Sequence, residues 1–200
     1  MKSGNYCKMI EALESLDRSI IVFINGQHSL LLDQIMWFIS GPWLVFILLP
    51  FVFYFIFQSY TRVQITWVLL SILLTIILTD QLSVHAFKEV FQRYRPSHNL
   101  LIMDQLHFHQ YIDGTFYQGG KYGFVSSHAA NYFGVLTLIW HLLSTKWVKY
   151  LLVMLVLLVL YSRMYLGVHY LSDVSCGALL GYVLAKVVIQ FLLLKKVKQT

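Results

Sequence analysis

Three short clusters of polar residues interrupt an otherwise apolar chain, and their residue types suit phosphoryl transfer. KEVFQRYRP carries Lys88, Arg95 and Pro96. VSSH sets Ser126, Ser127 and His128 after Val125. SRMYLGVHYLSD holds Ser162, Arg163, His169 and Asp173. His169 and Asp173 are four apart, so they share a face if that stretch is helical. A carboxylate bonded to one imidazole nitrogen fixes the tautomer and frees the other nitrogen as nucleophile or base. Arg163 stands one connection earlier, placed to hold an anion beside the ring. Ser126 and Ser127 at a helix start would lend N–H and hydroxyl donors to a phosphate, and His128 would act as acid and base. Arg95 suits bidentate contacts with phosphoryl oxygens, and Lys88 a point charge.

Each cluster alone has a plainer reading. Arg163, His169 and Asp173 also read as interfacial anchors at helix ends. Ser126 or Ser127 also reads as an ordinary N-cap, and Lys88 as a snorkelling side chain. Together the plain readings weaken, because independent anchors have no reason to gather cations, two histidines, a carboxylate and two serines in this order. Phosphoryl transfer asks for that set: cations for the equatorial oxygens, a nucleophile, and an acid for the leaving oxygen.

The rest of the chain must position these residues, and its composition says in what medium. Of 200 residues, 58% are hydrophobic and only 12% charged, with a mean hydropathy of +0.66. A soluble domain carries about 25% charged residues, so much of this surface must face lipid. The length fits a single domain over residues 1–200, with 1–40 as an interfacial helical segment and 41–200 as the transmembrane core carrying the site. The formal net charge of +6 fits both lysines at helix ends and a cationic site. The basic residues form no soluble stripe, which argues against nucleic acid. Cys7 and Cys176 read as free thiols. The N-terminus, with Glu11, Glu14 and Asp17 and no early apolar run, does not read as a cleavable signal peptide.

A span needs roughly 20 mostly apolar residues. Candidates are Trp43 to Tyr60, Thr66 to Phe87, Ala129 to Leu143, Val148 to Tyr165 and Val174 to Leu194. Residues 19–40 are interrupted at Asn25 to His28 and carry Asp33. They read as two short interfacial helices, the alternative being a sixth, broken span. The expected class is therefore all-α, a polytopic bundle of five to six transmembrane helices with an N-terminal interfacial helix. Glu89 to Phe124 is a long loop whose aromatics argue for packing near the interface. Arg62, Lys146, Lys149, Lys195, Lys196 and Lys198 share one side and are assigned to the cytoplasm. The three clusters then face outward.

The clusters resemble the signature of the type 2 phosphatidic acid phosphatase (PAP2) superfamily, in its membrane-bound bacterial branch. That signature is K-x6-R-P, then P-S-G-H, then S-R-x5-H-x3-D. The first and third agree at every defined position. In the second, Val125 stands for Pro and Ser127 for Gly, while Ser126 and His128 are kept. The resemblance implies His169 as a nucleophile that forms a phosphohistidine, oriented by Asp173, with His128 protonating the leaving oxygen and then activating water. Lys88, Arg95, Ser126, Ser127 and Arg163 would bind the phosphoryl oxygens. It implies no metal and no other cofactor. Its substrates are lipid phosphates: undecaprenyl diphosphate, lipid A phosphates, phosphatidylglycerol phosphate or phosphatidic acid, the first two favoured. The setting implied is a bacterial inner membrane with the site facing the periplasm. Membrane lipids are the other expected partner, and no obligate protein partner is inferred.

Asp80 and His85, deep in the second span, are supporting candidates. Arg93 reads either as touching the headgroup or as solvated. His98, His107 and His109 hint at zinc, but no cysteine accompanies them and the spacing is not a strong metal pattern. Competing functions are a phosphotransferase between lipids and a non-enzymatic transporter or lipid-binding protein. A vanadate-dependent haloperoxidase shares the pocket but is soluble.

Overall fold

The computed structural model describes the backbone of residues 2–197 and the side chains of residues 8–197. Cys7 and Lys198 lie outside the described side chains, and Cys176 is a free thiol. The described residues are helical apart from loops and two isolated antiparallel bridges, Tyr94 to Tyr122 and Gln110 to Phe116. The order is α1 (Lys2–Asn25), α2 (Leu30–Ser40), α3 (Trp43–Ser59), α4 (Arg62–Gln81), α5 (Glu89–Phe91), α6 (Ser127–Leu142), α7 (Lys146–Tyr165), α8 (Leu171–Val188) and α9 (Leu194–Lys196). π-helical segments, Leu82–Lys88 and Ile189–Leu193, join α4 to α5 and α8 to α9. Segments this apolar must close their backbone hydrogen bonds internally, which helices do.

Among the described residues, three continuous helical stretches are long and apolar enough to cross a membrane: Arg62–Phe91, Lys146–Tyr165 and Leu171–Lys196. The pair α2 and α3, bent by 54° at Gly41 and Pro42, makes a fourth if counted as one broken span. α6 has 16 residues, about 24 Å of helix, short of a full bilayer core. The expected all-α membrane bundle stands, with these stretches as its spans by length and composition. Phe46, Phe57, Leu73, Met154, Leu179 and Phe191 are each more than half exposed, a surface that suits lipid. The protein is an integral membrane protein.

The N-terminal segment is two helices, as expected, but the first is long. One helix, α1, runs unbroken through Asn25, because residues 8–25 hold neither Gly nor Pro. The break falls where expected, at Gly26 and Gln27, and Ser29 caps α2 by accepting from Leu32 N at 3.3 Å. α2 does not lie apart: its Met36 and Ile39 join Tyr165, Leu166 and Val168 in one core cluster.

The centre of the bundle is the contact of α6 with α8. Gly177 and Gly181 let the two backbones approach: a Cβ on Gly177 would meet Ser126 O at 2.5 Å. Gly134, on α6, faces Gly181 O at 3.3 Å and Thr75 Cγ2 of α4 at 3.0 Å, measured from its own ideal Cβ. Small residues four apart give membrane helices this close packing. The main core cluster, from Ile56 and Val68 to Leu138 and Val188, surrounds it.

Candidate active site

α7 ends at Tyr165, and Gly167, at φ +70°, turns the chain toward α8. A side chain there would also press on Phe108 and Asn25, 3.1 and 3.3 Å from an ideal Cβ. The turn leaves His169 and Tyr170 just before α8. Asp173, in the first turn of α8, reaches back so that its Oδ2 accepts from Tyr170 N at 3.0 Å. The same oxygen lies 3.5 Å from His169 Nδ1. The pairing thus comes from helix-cap geometry and not from a shared helix face, since His169 precedes the helix. Both side chains are buried, at 1% and 0% exposure.

Two arginines and a lysine converge on this pair. Arg163 is 3% exposed. Its Nη1 donates to Ser40 Oγ of α2, and its Nη2 to Tyr117 Oη at 2.7 Å. Its Nε is buried without a partner. Arg95 donates from Nε to Tyr122 O at 3.2 Å. The loop lies so close to Arg95 that Cβ atoms on Gly119 or Gly123 would strike the arginine side chain, 3.0 Å from Cγ for Gly123. The glycine-rich run therefore seats Arg95. Burial first, and then the neighbouring Arg163, push the Arg95 pKa down. Two guanidinium groups that disfavour each other's charge make a site suited to an anion.

Lys88 donates to Ser127 Oγ at 2.5 Å, and Ser83 Oγ is 2.6 Å from the same hydroxyl. Residues five apart stand over one another in the π-helical segment, which closes i→i+5 bonds, and so Ser83 and Lys88 reach one point. Ser126 caps α6, its Oγ accepting from Ala129 N at 3.4 Å. Its own N–H donates to Asp173 O at 3.0 Å, which corrects the expectation that this N–H would be offered to phosphate. The N–H groups of Ser127 and His128 stand in the first helical turn, where no intrahelical acceptor exists. His128 lies within electrostatic range of His169, Arg95, Arg163 and Lys88.

The His169 pKa is held well below its usual value by burial first, then by the charges of Arg95, Arg163 and Lys88; the Gly123 carbonyl acts the other way. The ring is therefore neutral, with a lone pair available on one nitrogen.

Three supporting candidates fare differently. Arg93 is partly exposed and bridges Asp17 and Asp173, 2.8 Å from each. Asp80 lies within electrostatic range of Lys88. His85 points away from the cluster, its side chain 61% exposed and its Nδ1 3.0 Å from Glu89. Among the loop histidines, His107 pairs with Asp33 at 3.0 Å and His109 stacks on Trp37. Among the described residues no group of three or more His, Cys, Asp or Glu is arranged to hold a metal ion. Ser40, Tyr117 and Asp17 were not singled out as site residues by the sequence. Only the aromatic loop around Tyr117 gave any signal.

A helical membrane bundle that buries a neutral histidine against a carboxylate, ringed by cations at its polar edge, defines a class, the integral membrane phosphatases of lipids. The chain belongs to the PAP2 superfamily, whose family model matches residues 64–196. It is 31% identical over 176 residues to a lipid A 4'-phosphatase of Porphyromonas gingivalis, covering 87% of this chain and 72% of that one. It is 31% identical over 175 residues to a lipid A 4'-phosphatase of Bacteroides thetaiotaomicron, covering 86% and 75%. Among solved structures it resembles a transmembrane PAP2-type phosphatidylglycerolphosphate phosphatase from Bacillus subtilis, with a TM-score of 0.68, 26% identity, and coverage of 94% and 89%. The fold is also that of Aquifex aeolicus LpxE, with a TM-score of 0.58, 23% identity, and coverage of 86% and 94%.

Proposed function

We propose that this protein removes a phosphate from a lipid A-type phosphoglycolipid through a phosphohistidine formed on His169. The observation that carries the reading is the buried His169, 3.5 Å from Asp173 and surrounded by Lys88, Arg95 and Arg163. His169 attacks phosphorus with its free nitrogen while Asp173 steadies the charge that develops on the ring. The ester oxygen leaves and takes a proton from His128. Water then attacks the phosphohistidine, gives its proton to His128, and releases inorganic phosphate with His169 restored. Arg163 Nε, Arg95, Lys88, the Ser127 hydroxyl and the first-turn N–H groups of α6 bind the phosphoryl oxygens. Ser126 serves by capping α6, and its N–H serves by fixing Asp173. The reaction uses no metal.

Lipid A is preferred over other lipid phosphates because two relatives at 31% identity bear the name lipid A 4'-phosphatase. A lipid is preferred over a soluble ester because an apolar cavity of about 470 Å³ lies between α3, α4, α6 and α7. It is lined by Leu48, Leu73, Ile76, Val135 and Leu152, and reaches Asn131 and Tyr132, one turn beyond His128. The whole chain acts as one domain, in a bacterial inner membrane with the site facing the periplasm.

The test is phosphate release by detergent-purified protein, with chelator present, from lipid A, undecaprenyl diphosphate, phosphatidylglycerol phosphate and phosphatidic acid. Wild type should release phosphate, lipid A should be preferred, and His169→Ala should be inactive. Activity of His169→Ala equal to wild type removes the nucleophile. Loss of activity on chelation removes metal independence. Preference for another lipid moves the substrate within the class.

A further inference from the structure

Asp17 lies on α1, far in sequence from every cluster above, yet it is only 6% exposed and each of its carboxylate oxygens is engaged. Its Oδ1 accepts from Ser172 N at 3.1 Å. Its Oδ2 accepts from Arg93 Nη2 at 2.8 Å and from the Ser172 hydroxyl. Arg93 Nη1 in turn donates to Asp173 Oδ1 at 2.8 Å and to Ser172 Oγ at 2.6 Å. Its guanidinium lies over the Tyr170 ring, 4.3 Å from the centroid. Arg93 thus occupies one oxygen of Asp173, and the other oxygen is the one beside His169.

We propose that Asp17 is a positioning residue for the reaction: by sharing Arg93 with Asp173, it keeps the Asp173 carboxylate charged toward His169. This rests on the reading of His169 as nucleophile. One cation between two carboxylates leaves the trio with one net negative charge. Without Asp17, Arg93 and Asp173 would form a closed neutral pair, and the carboxylate would do little for a ring that becomes positive. Ring charge develops when His169 bonds to phosphorus, because the imidazole keeps its other N–H while its lone pair is used. In a buried setting such pairings are weakly screened by water, so the balance of charge is felt at short range. The bland alternative is that Asp17 only fastens α1 to the start of α8.

Charge arithmetic separates the two. Asp17→Asn keeps the shape and leaves the trio neutral. Arg93→Gln leaves it with two negative charges. The double variant returns it to one. Ser172→Ala loosens the fastening without changing any charge. The proposal expects Asp17→Asn to lower kcat about tenfold or more, with KM and inhibition by inorganic vanadate little changed, since the phosphate ligands are untouched. It expects the double variant to recover most of that loss, a non-additivity that two broken fastenings would not give. It expects Ser172→Ala to lower kcat less than about threefold.

The experiment is steady-state kinetics of the four full-length variants in detergent on the preferred lipid phosphate, beside acid-quench trapping of phosphohistidine on wild type. A double variant no more active than Asp17→Asn overturns the proposal, as does wild-type kcat in Asp17→Asn. If Asp17→Asn does not purify folded, the double variant decides: kcat within about tenfold of wild type supports the balance, and kcat as low as His169→Ala overturns it. Absence of trapped phosphohistidine in active wild type instead fails the nucleophile reading and, with it, the premise of this one.

Discussion

Gly181→Ala tests the α6–α8 contact that holds the site together. An ideal Cβ on Gly181 would lie 2.9 Å from both Gly134 N and the Ala130 carbonyl carbon, and closer still to Ala130 O. Ordinary Cβ contacts begin at 3.4 Å, so the shortfall at the two 2.9 Å contacts alone is 3.4 less 2.9, or 0.5 Å. All three atoms are main chain of α6, so no rotamer change relieves them and the helices must separate. Overpacking of this kind costs about 1–3 kcal/mol. Ala is a better helix former than Gly by about 1 kcal/mol, so without the contact the substitution would stabilise. The net expectation is a loss of about 1 kcal/mol, or a Tm lower by about 2–4 °C for a chain of this size.

Activity should fall with it, because α6 carries Ser127 and His128 while α8 carries Asp173. A misplacement of about 1 Å costs a reaction about a hundredfold; 0.5 Å is the least separation required, since Ala130 O is closer still, so a loss of about tenfold to a hundredfold in kcat/KM is expected. Thermal unfolding in detergent followed by tryptophan fluorescence reads the first number, and phosphate release below the transition reads the second. Gly120→Ala is the control, since nothing lies within 4 Å of its Cβ. A Gly181→Ala protein with wild-type or higher Tm and wild-type activity would refute the close approach of the two backbones.

Four further outcomes follow from the site. Because burial and the charges of Arg95, Arg163 and Lys88 hold His169 neutral, the acid limb of kcat/KM due to His169 should lie below about pH 6.5, and a limb above pH 7 would contradict it. The unfolded chain takes up that proton near pH 6.5 while the folded one resists it, so stability present above about pH 6.5 is lost progressively as pH falls below it, read from Tm against pH. Tyr117→Phe removes an acceptor from the buried Arg163, 2.7 Å away; a guanidinium N–H left unpaired should weaken vanadate inhibition about tenfold, and unchanged inhibition would show that Tyr117 does not hold Arg163. His85→Gln should leave kcat within about twofold, since its ring is exposed and paired with Glu89; a large loss would mean that His85 reaches the site.

The candidate site's residues stood out in the sequence more plainly than the local geometry that gathers them. Phosphate chemistry demands particular residue types at particular spacings, so Lys88, Arg95, His128, Arg163, His169 and Asp173 could be picked out of the chain, and the structure brings them together. The geometry that does so left weaker traces. The expectation that His169 and Asp173 share a helix face gave way to a cap, because spacing by four is common to both arrangements. The π-helical turn that brings Ser83 and Lys88 onto Ser127 has no hydropathy signature. Span counting was limited for the same reason: apolar composition does not distinguish a straight α7 from the bent pair α2 and α3. Glycines were the exception to read with hindsight, since Gly119 and Gly123 are small where Arg95 passes, and Gly177 and Gly181 where α6 does.

The family match begins at residue 64, and the signature clusters lie between residues 88 and 173, yet the site leans on residues before both. A buried guanidinium needs acceptors for its N–H groups. The clusters contain two carboxylates: Glu89, which pairs with His85, and Asp173, which lies beside His169 and accepts from Tyr170 N and Arg93. Acceptors for Arg163 and for the second face of Arg93 must therefore come from elsewhere in the chain. They are Ser40 and Tyr117 for Arg163, and Asp17 for Arg93. Two of the three sit on α1 and α2, so these helices belong to the scaffold of the candidate site, whatever their relation to the bilayer. A protein that kept every signature residue but lost α1 and α2 would lose Ser40 from the buried Arg163 and Asp17 from the partly buried Arg93.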